Sequence, residues 1–343
     1  MTGASAAKFE TIAAPVSGLS YRSAFKVAGL LGRCAPRDTI VLAGSPRSGT
    51  TIVEEIYATL PGYKTLNEPL LQRWVQAAYG FTNRSCIPVD AVAPLQESFM
   101  RRVLTGQLGA AALWAFESTS RTGRLKEHAS KRKLVVKFCR LNRMLPWFCR
   151  NFERKGVVLI IRHPCSVVSS MLKHGPWDDM LAKRTDPFNP LAWNNVPAGA
   201  RPVFGPMMDR IETLEEALAA MWALDQWVPL IEAEHRPWIL LPYERLVLNP
   251  RQELDRVNSA LGIETSDAMI ARLARPSSSV KVKEDLLSDS RAQLGKWRDT
   301  LKPAQIDGIL RIVRQAGLGH IYSDAVEPDY DALNACQDPS CRW

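Results

Sequence analysis

No apolar run in this 343-residue chain approaches the ~18 residues needed to span a bilayer, and the first 30 residues hold no continuous apolar stretch of the secretory kind. The expectation is a soluble, unprocessed protein without a transmembrane segment. The seven cysteines, at 34, 86, 139, 149, 165, 336 and 341, are odd in number and contain no C-x-x-C pair. That argues against a secreted disulfide framework and for a reduced, cytoplasmic compartment. Internal repeats and low-complexity tracts are missing as well. What is abundant is apolar content, 46% against 23% charged residues, enough to bury a sizeable core. The net charge of +9 attracts anions, whether nucleotide, acidic glycan, nucleic acid or membrane, without choosing among them.

The Thr39–Gly44 run is apolar and β-branched, as in a strand buried on both faces. A glycine-bearing loop follows. Residues 51–60 then carry apolar side chains at 52, 53, 56 and 60, a helical face stopped by Pro61-Gly62. The same order recurs where Gly156–Ile161 ends in Arg162-His163-Pro164 and a helical stretch runs to about His174. Leu134–Phe138 and Trp238–Leu241 read as further strands, and helical spacing marks 94–116, 142–153, 211–233 and 303–316. Asn249-Pro250-Arg251-Gln252 reads as a capped helix start. Strands separated by helices predict βαβ units and an α/β fold with a central, largely parallel sheet. The expected division is an N-terminal extension over 1–35, one domain over 36–320 with an irregular insertion at about 175–210, and a tail over 321–343.

Gly44-x-x-x-x-Gly49-Thr50-Thr51 has the glycine spacing of a phosphate-binding loop, whose amides and helix N-terminus face phosphate oxygens. Its lysine is absent. Thr50 stands where a nucleoside triphosphatase places that residue, which disfavours magnesium-dependent ATP chemistry. Arg47 puts a planar, permanently charged donor inside the loop instead.

Ser45-Pro46-Arg47-Ser48-Gly49-Thr50-Thr51 resembles the 5′-phosphosulfate loop of the sulfotransferases that use 3′-phosphoadenosine 5′-phosphosulfate (PAPS). A second segment, Arg162 to Ser170, resembles that family's 3′-phosphate element, an Arg ending a strand and a Ser eight positions later on the next helix. Tyr243-Glu244-Arg245-Leu246 is similar to a late structural motif of the family, and Gly295-Lys296-Trp297-Arg298 to a C-terminal one. Of the Arg-Lys-Gly that often precedes the latter, Ser290-Arg291-Ala292 keeps a basic residue at the middle position. Together these matches spread over about 39–317. They imply the three-layer α/β fold of P-loop NTPases, with PAPS as donor, PAP as product and no required metal. The implied donor residues are Pro46, Arg47, Ser48, Gly49, Thr50 and Thr51 at the 5′ end, and Arg162, Ser170 and Arg291 at the 3′-phosphate.

Sulfuryl transfer needs an in-line nucleophile, a base for its proton and positive groups at the leaving oxygen. Arg47 is expected to supply the last. Glu68, in Asn67-Glu68-Pro69, is the candidate base, because the segment after the loop helix should return to the sheet's carboxyl edge. Its position 21 residues after Arg47 resembles that of the proposed base in carbohydrate and tyrosylprotein sulfotransferases. The phenol and steroid branch carries Lys-Thr-His after its middle strand. Here the stretch reads Lys137-Phe138-Cys139, so its histidine is missing, and His163 and His174 are the alternatives to Glu68. Lys137 is a candidate donor or acceptor contact, or a solvated strand end. Trp177 and Trp193 are candidate sugar platforms or anchors of the insertion. The basic run Arg121, Arg124, Lys126, Lys131, Arg132 and Lys133 reads as a solvated loop and strand entrance, or as a track for an acidic glycan.

The expected activity is sulfuryl transfer to a hydroxyl, on a carbohydrate or glycoconjugate, with no nucleic acid as partner and the oligomeric state left open. The rivals are a small-molecule kinase of the P-loop type and an inactive module that binds PAP or an anionic glycan.

Overall fold

A computed structural model describes residues 19–175, 177, 179–182, 185, 186, 188–278 and 290–339. Pro176 and Pro187 of the insertion, and the terminal residues 1–18 and 340–343, lie outside them.

Six strands form one sheet: β1 Thr39–Gly44, β2 Tyr63–Asn67, β3 Leu113–Ala115, β4 Lys133–Phe138, β5 Gly156–Ile161 and β6 Ile239–Pro242. Their order is β3-β2-β4-β1-β5-β6, parallel throughout except where β3 runs antiparallel to β2 on the edge. Side chains alternate across a strand, so the apolar runs feed two separate cores. On one face Ile40, Leu42, Val135, Val158 and Ile160 pack with Ile52, Val53 and Ile56 of helix Thr50–Tyr57 and with Leu254 and Val257 of helix Pro250–Ala260. On the other face Val41, Ala43, Val136, Val157 and Leu159 meet Val167 of helix Pro164–Lys173, Leu218 and Trp222 of helix Leu214–Trp227, and Ile309 and Ile312 of helix Pro303–Gln315. The result is the expected three-layer α/β fold of the P-loop type, with β1 central and its carboxyl end opening onto the loop.

Several expectations need correction. The helical spacing of 94–116 covers two elements: helix Pro94–Leu104 ends before Gly106, which adopts φ 67°, and the chain then forms β3. Glycine is what lets the chain turn there. The 142–153 stretch begins as a short 3₁₀ turn, Asn142–Met144, before helix Leu145–Asn151. The 211–233 helix ends at Trp227 and continues as a π turn, Val228–Glu232, containing Pro229. Asn249 stands at the cap position before Pro250, but its side chain makes no cap hydrogen bond. Half of the basic run, Arg121, Arg124 and Lys126, lies not in a loop but on helix Arg121–Ser130, which packs against helix Leu19–Leu31, while Lys131, Arg132 and Lys133 lead into β4. Phe25 stacks there on the buried His128 at 4.3 Å. The insertion folds back as Trp193–Asn195, Ala198–Ala200 and Arg201–Met208, and buries Leu191, Val196, Phe204 and Met207 in the second core.

Strand β2 escapes a pattern reading because Lys64 interrupts it. That lysine is 1% exposed, and its ammonium donates to the carbonyls of Gly32 at 2.7 Å and His128 at 3.1 Å. Satisfied in this way, a cation can occupy a central strand position that periodicity would assign to an apolar residue.

Candidate active site

The loop between β1 and helix Thr50–Tyr57 turns on Gly49, whose φ is 94°. A Cβ there would lie 2.3 Å from the Tyr243 ring, so both the backbone conformation and the close approach call for glycine. Ser48 closes the turn from within, donating its hydroxyl to the Ser45 carbonyl at 2.6 Å. The first amides of the helix, from Thr50, Thr51 and Ile52, have no intrahelical acceptor and add to a positive helix end. Pro46 stands in the loop as a partly buried residue.

Among the described residues only two that are not glycine have positive φ: Arg47 at 67° and Glu68 at 43°. Such conformations cost about 1–3 kcal/mol and gather at functional sites. Both residues were singled out by sequence.

Arg47 Nε donates to Ser170 Oγ at 3.0 Å, and Arg162 Nη1 donates to the Arg47 carbonyl at 3.3 Å. The strand-end arginine, the helix serine and the loop arginine therefore form one cluster, with Arg47 reaching across to the Arg162–Ser170 side. The Arg162 guanidinium lies over the Tyr243 ring at 4.4 Å, and its Nε is buried without a hydrogen-bond partner. Neither arginine has a carboxylate within 4.0 Å among the described residues. Burial, and then the charge of Arg162, push the Arg47 pKa down. Two guanidiniums held together with an unsatisfied donor form a cradle that fits an anionic group such as the phosphates of PAPS. Arg291 is exposed and pairs with Glu327 at 3.6 Å, with no hydrogen bond to Arg47, Arg162 or Ser170 among the described residues.

Glu68 follows β2 and is fixed by its backbone, its N–H donating to the Lys137 carbonyl at 2.9 Å. Its carboxylate accepts from Arg140 at 3.2 Å, and Arg140 is in turn tied to Asn83 at 2.8 Å. Lys137 is no solvated strand end. Its side chain is 5% exposed, and its ammonium lies 3.1 Å from Glu54 and 3.3 Å from the Thr51 hydroxyl to which it donates. Cys139, at the position of the missing histidine, lies 3.4 Å from the Thr50 hydroxyl. Burial, reinforced by Glu68, pushes its thiol up to about 12, so it is a neutral group in the site.

His163 is buried within the fold. Its ring stacks on Trp297 at 4.8 Å, its Nδ1 accepts from the Cys165 N–H at 3.2 Å, and its Nε2 meets the Ser323 carbonyl at 3.0 Å. Burial lowers its pKa to about 4, which describes a neutral structural ring. His174 lies exposed at the end of the same helix. Trp177 packs against the second core, and Trp193 is 51% exposed beneath the Arg201 guanidinium.

Residue reasoning missed the groups that brace the loop from behind. Ser45 donates to Asp225 at 3.2 Å and accepts from Gln226 at 2.9 Å. Asp225 also binds Arg143 at 2.8 Å and lies 3.6 Å from Arg84, all of them buried. Nothing in a single sequence joins positions 45, 84, 143 and 225. Glu54 lies buried on helix Thr50–Tyr57, where the apolar pattern assigns no role to a charge. A cavity of about 900 Å³ lies beyond Arg143, lined by residues such as Cys86, Pro146, Val196 and Val228, and includes none of the expected site residues.

Among solved structures, the chain is similar to the sulfotransferase domain from the Synechococcus PCC 7002 olefin synthase, at 17% identity over 81% of this chain and 94% of that one, with a TM-score of 0.41. It is similar also to the sulfotransferase domain from the curacin biosynthetic pathway, at 16% identity over 83% and 97%, TM-score 0.45. A third is mouse sulfotransferase SULT7A1 complexed with PAP, at 16% identity over 88% and 92%, TM-score 0.40. No curated protein matches the sequence. Residues 37–318, which carry the loop, the Arg162–Ser170 pair and Glu68, match the model of the sulfotransferase domain family, and the chain belongs to that family.

Proposed function

We propose that this protein transfers a sulfuryl group from PAPS to a hydroxyl of a carbohydrate or glycoconjugate, with Glu68 as the base and residues 36–320 as the transferase unit. The observation that carries this reading is the meeting of Arg47, Arg162 and Ser170 at the carboxyl ends of β1 and β5, where two cations lack a carboxylate partner among the described residues.

PAPS supplies, when bound, an activated sulfuryl group on a phosphate that leaves as a stable anion. Pro46 and Ser48 shape the loop, and Gly49, Thr50 and Thr51 offer amides and hydroxyls to the 5′ end. Arg162 and Ser170 serve the 3′-phosphate, Arg291 adds a cation from the C-terminal segment, and Arg47 balances charge at the leaving oxygen. Glu68 takes the acceptor proton, held in place by Arg140. Two observations favour Glu68 over a histidine: the neutral thiol of Cys139 fills the histidine position, and His163 is committed to the core. The carbohydrate assignment rests on the Asn67-Glu68-Pro69 context and on Trp74, 59% exposed on the helix that follows Glu68, whose flat face suits a sugar ring.

Calorimetry with PAP and a labelled-PAPS transfer screen over glycans, lipids, phenols and peptides test the reading. PAP is expected to bind the wild type, and Glu68→Gln to keep that affinity while lowering kcat by about 10²–10⁴-fold. Absence of PAP binding, or magnesium-dependent ATP hydrolysis in its place, overturns the donor assignment. Full transfer by Glu68→Gln overturns the base.

A further inference from the structure

Glu54 and Glu55 are neighbours on the helix that follows the loop, yet their surroundings differ. Glu55 ties distant segments together: it accepts from the Ser278 amide at 3.1 Å and its hydroxyl at 2.5 Å, and pairs with Arg272. Glu54 is 0% exposed, and neither of its oxygens has a hydrogen-bond partner. What it has is the Lys137 ammonium at 3.1 Å, as an ion pair. A buried carboxylate in this state opposes folding, and an apolar residue of similar volume would serve the helix better. A role in stability does not account for it.

Lys137 occupies a defined place. Its backbone pairs with Leu42 of β1 and Asn67 of β2, at the carboxyl end of the central strands. Its side chain donates to Thr51 Oγ1 at 3.3 Å, inside the loop. An ammonium carries three N–H groups. Those not engaged by Glu54 and Thr51 are free to meet an anion at the loop.

We propose that Glu54 is a positioning residue of the transfer site, fixing the Lys137 ammonium against Thr51 so that its remaining N–H serves the sulfate end of the donor. This rests on the reading of the loop as the donor site. The titratable groups facing Lys137 are Glu54 from the loop helix, Glu68 from the end of β2 and the neutral thiol of Cys139 at the exit of its own strand, and Glu68 is already engaged by Arg140. Burial pulls the Lys137 pKa down, and the anions, Glu54 foremost, more than reverse it, so the ammonium titrates above its ordinary range. Without Glu54 the largest influence opposing burial is gone, and Lys137 should lose its proton at lower pH.

The experiment follows the lysine side-chain NMR signals of the ligand-free protein between pH 7 and about 11, with Lys137 assigned through Lys137→Arg. In the wild type Lys137 should stay protonated throughout. In Glu54→Gln it should titrate within the range, its pKa lower by about one unit or more. The alkaline limb of the kcat profile should move down by the same amount, while KM for PAPS changes less than about threefold. Glu54→Asp, which keeps the charge, should restore most of both. An unmoved Lys137 titration in Glu54→Gln overturns the proposal, and so does a lowered one with an unmoved alkaline limb. Should Glu54→Gln not fold, Glu54→Asp must show a smaller shift of both quantities in the same direction, and no shift counts against the idea. A wild-type chain that binds no PAP overturns the donor reading, and the role at the sulfate end with it, even where Lys137 still responds to Glu54.

Discussion

Gly49 is a residue on which three parts of the site converge. It starts the helix behind the loop, holds a backbone conformation that L side chains resist, and leaves room for the Tyr243 ring that carries the Arg162 guanidinium. Gly49→Ala therefore adds about 1–2 kcal/mol of left-handed strain and a clash with a ring that is itself buried. The Tyr243 ring must move, and Arg162 with it. We expect urea unfolding of Gly49→Ala to show a stability loss of about 2–4 kcal/mol, and calorimetry to show PAP affinity lowered more than about tenfold. Unchanged PAP affinity would mean that the Gly49–Tyr243–Arg162 contact has no part in donor binding. Arg47 and Glu68 carry the same lesson from the other side, since neither is glycine and both accept left-handed backbone.

At the scale of elements, helix Leu214–Trp227 holds the loop from behind. Asp225 takes Ser45 on one oxygen and Arg143 on the other, with Arg84 beside it. Arg143 also donates to the carbonyls of Pro190 at 2.8 Å and Asn195 at 2.6 Å, so one carboxylate couples the insertion to the loop. Burial lowers the Arg84 pKa to about 10, with Asp225 opposing that fall. Asp225→Asn leaves two buried guanidiniums without an anion and should cost about 3–5 kcal/mol in denaturant unfolding. The double variant Asp225→Asn, Arg84→Met should recover part of that loss, and equal losses in the two would show that the charges do not interact. Elements of this sort explain what a sequence can reveal. The β1 run, the loop spacing and the Arg162–Ser170 interval are local patterns, and the structure has a strand, a turn and a cluster where they predict them. Lys64 hid β2 because its partners lie 32 and 64 positions away, and Asp225 hid because its meaning comes from Ser45, 180 positions earlier. Periodicity registers which face is apolar. It is silent about which buried charge meets which.

For the whole molecule, the buried titratable groups set how stability responds to pH. His163 and His128 are held neutral by burial, their pKa values lowered to about 4 and about 3. A histidine depressed in this way contributes stability that is complete above its unfolded pKa of about 6.5 and is lost as pH falls toward the folded value. Glu244 acts in the opposite sense. It accepts from the His163 amide at 2.8 Å, and burial, partly offset by that bond, raises its pKa to about 7. Its contribution is complete below the unfolded value of about 4.5 and is lost as pH rises through 7. Between pH 4.5 and 6.5 the Glu244 slope therefore cancels that of His163, and His128 alone among the three leaves stability rising with pH. Glu244→Gln removes the cancelling slope, since Gln resembles the protonated acid and its oxygen can still accept from the His163 amide. Urea midpoints of the two proteins should coincide near pH 4.5 and separate as pH rises, the variant being more stable by about 2–3 kcal/mol at pH 7.5. A variant that is equally or less stable at pH 7.5 would mean that Glu244 is ionised in the fold at no cost, with Arg162 rather than the His163 amide as its effective partner.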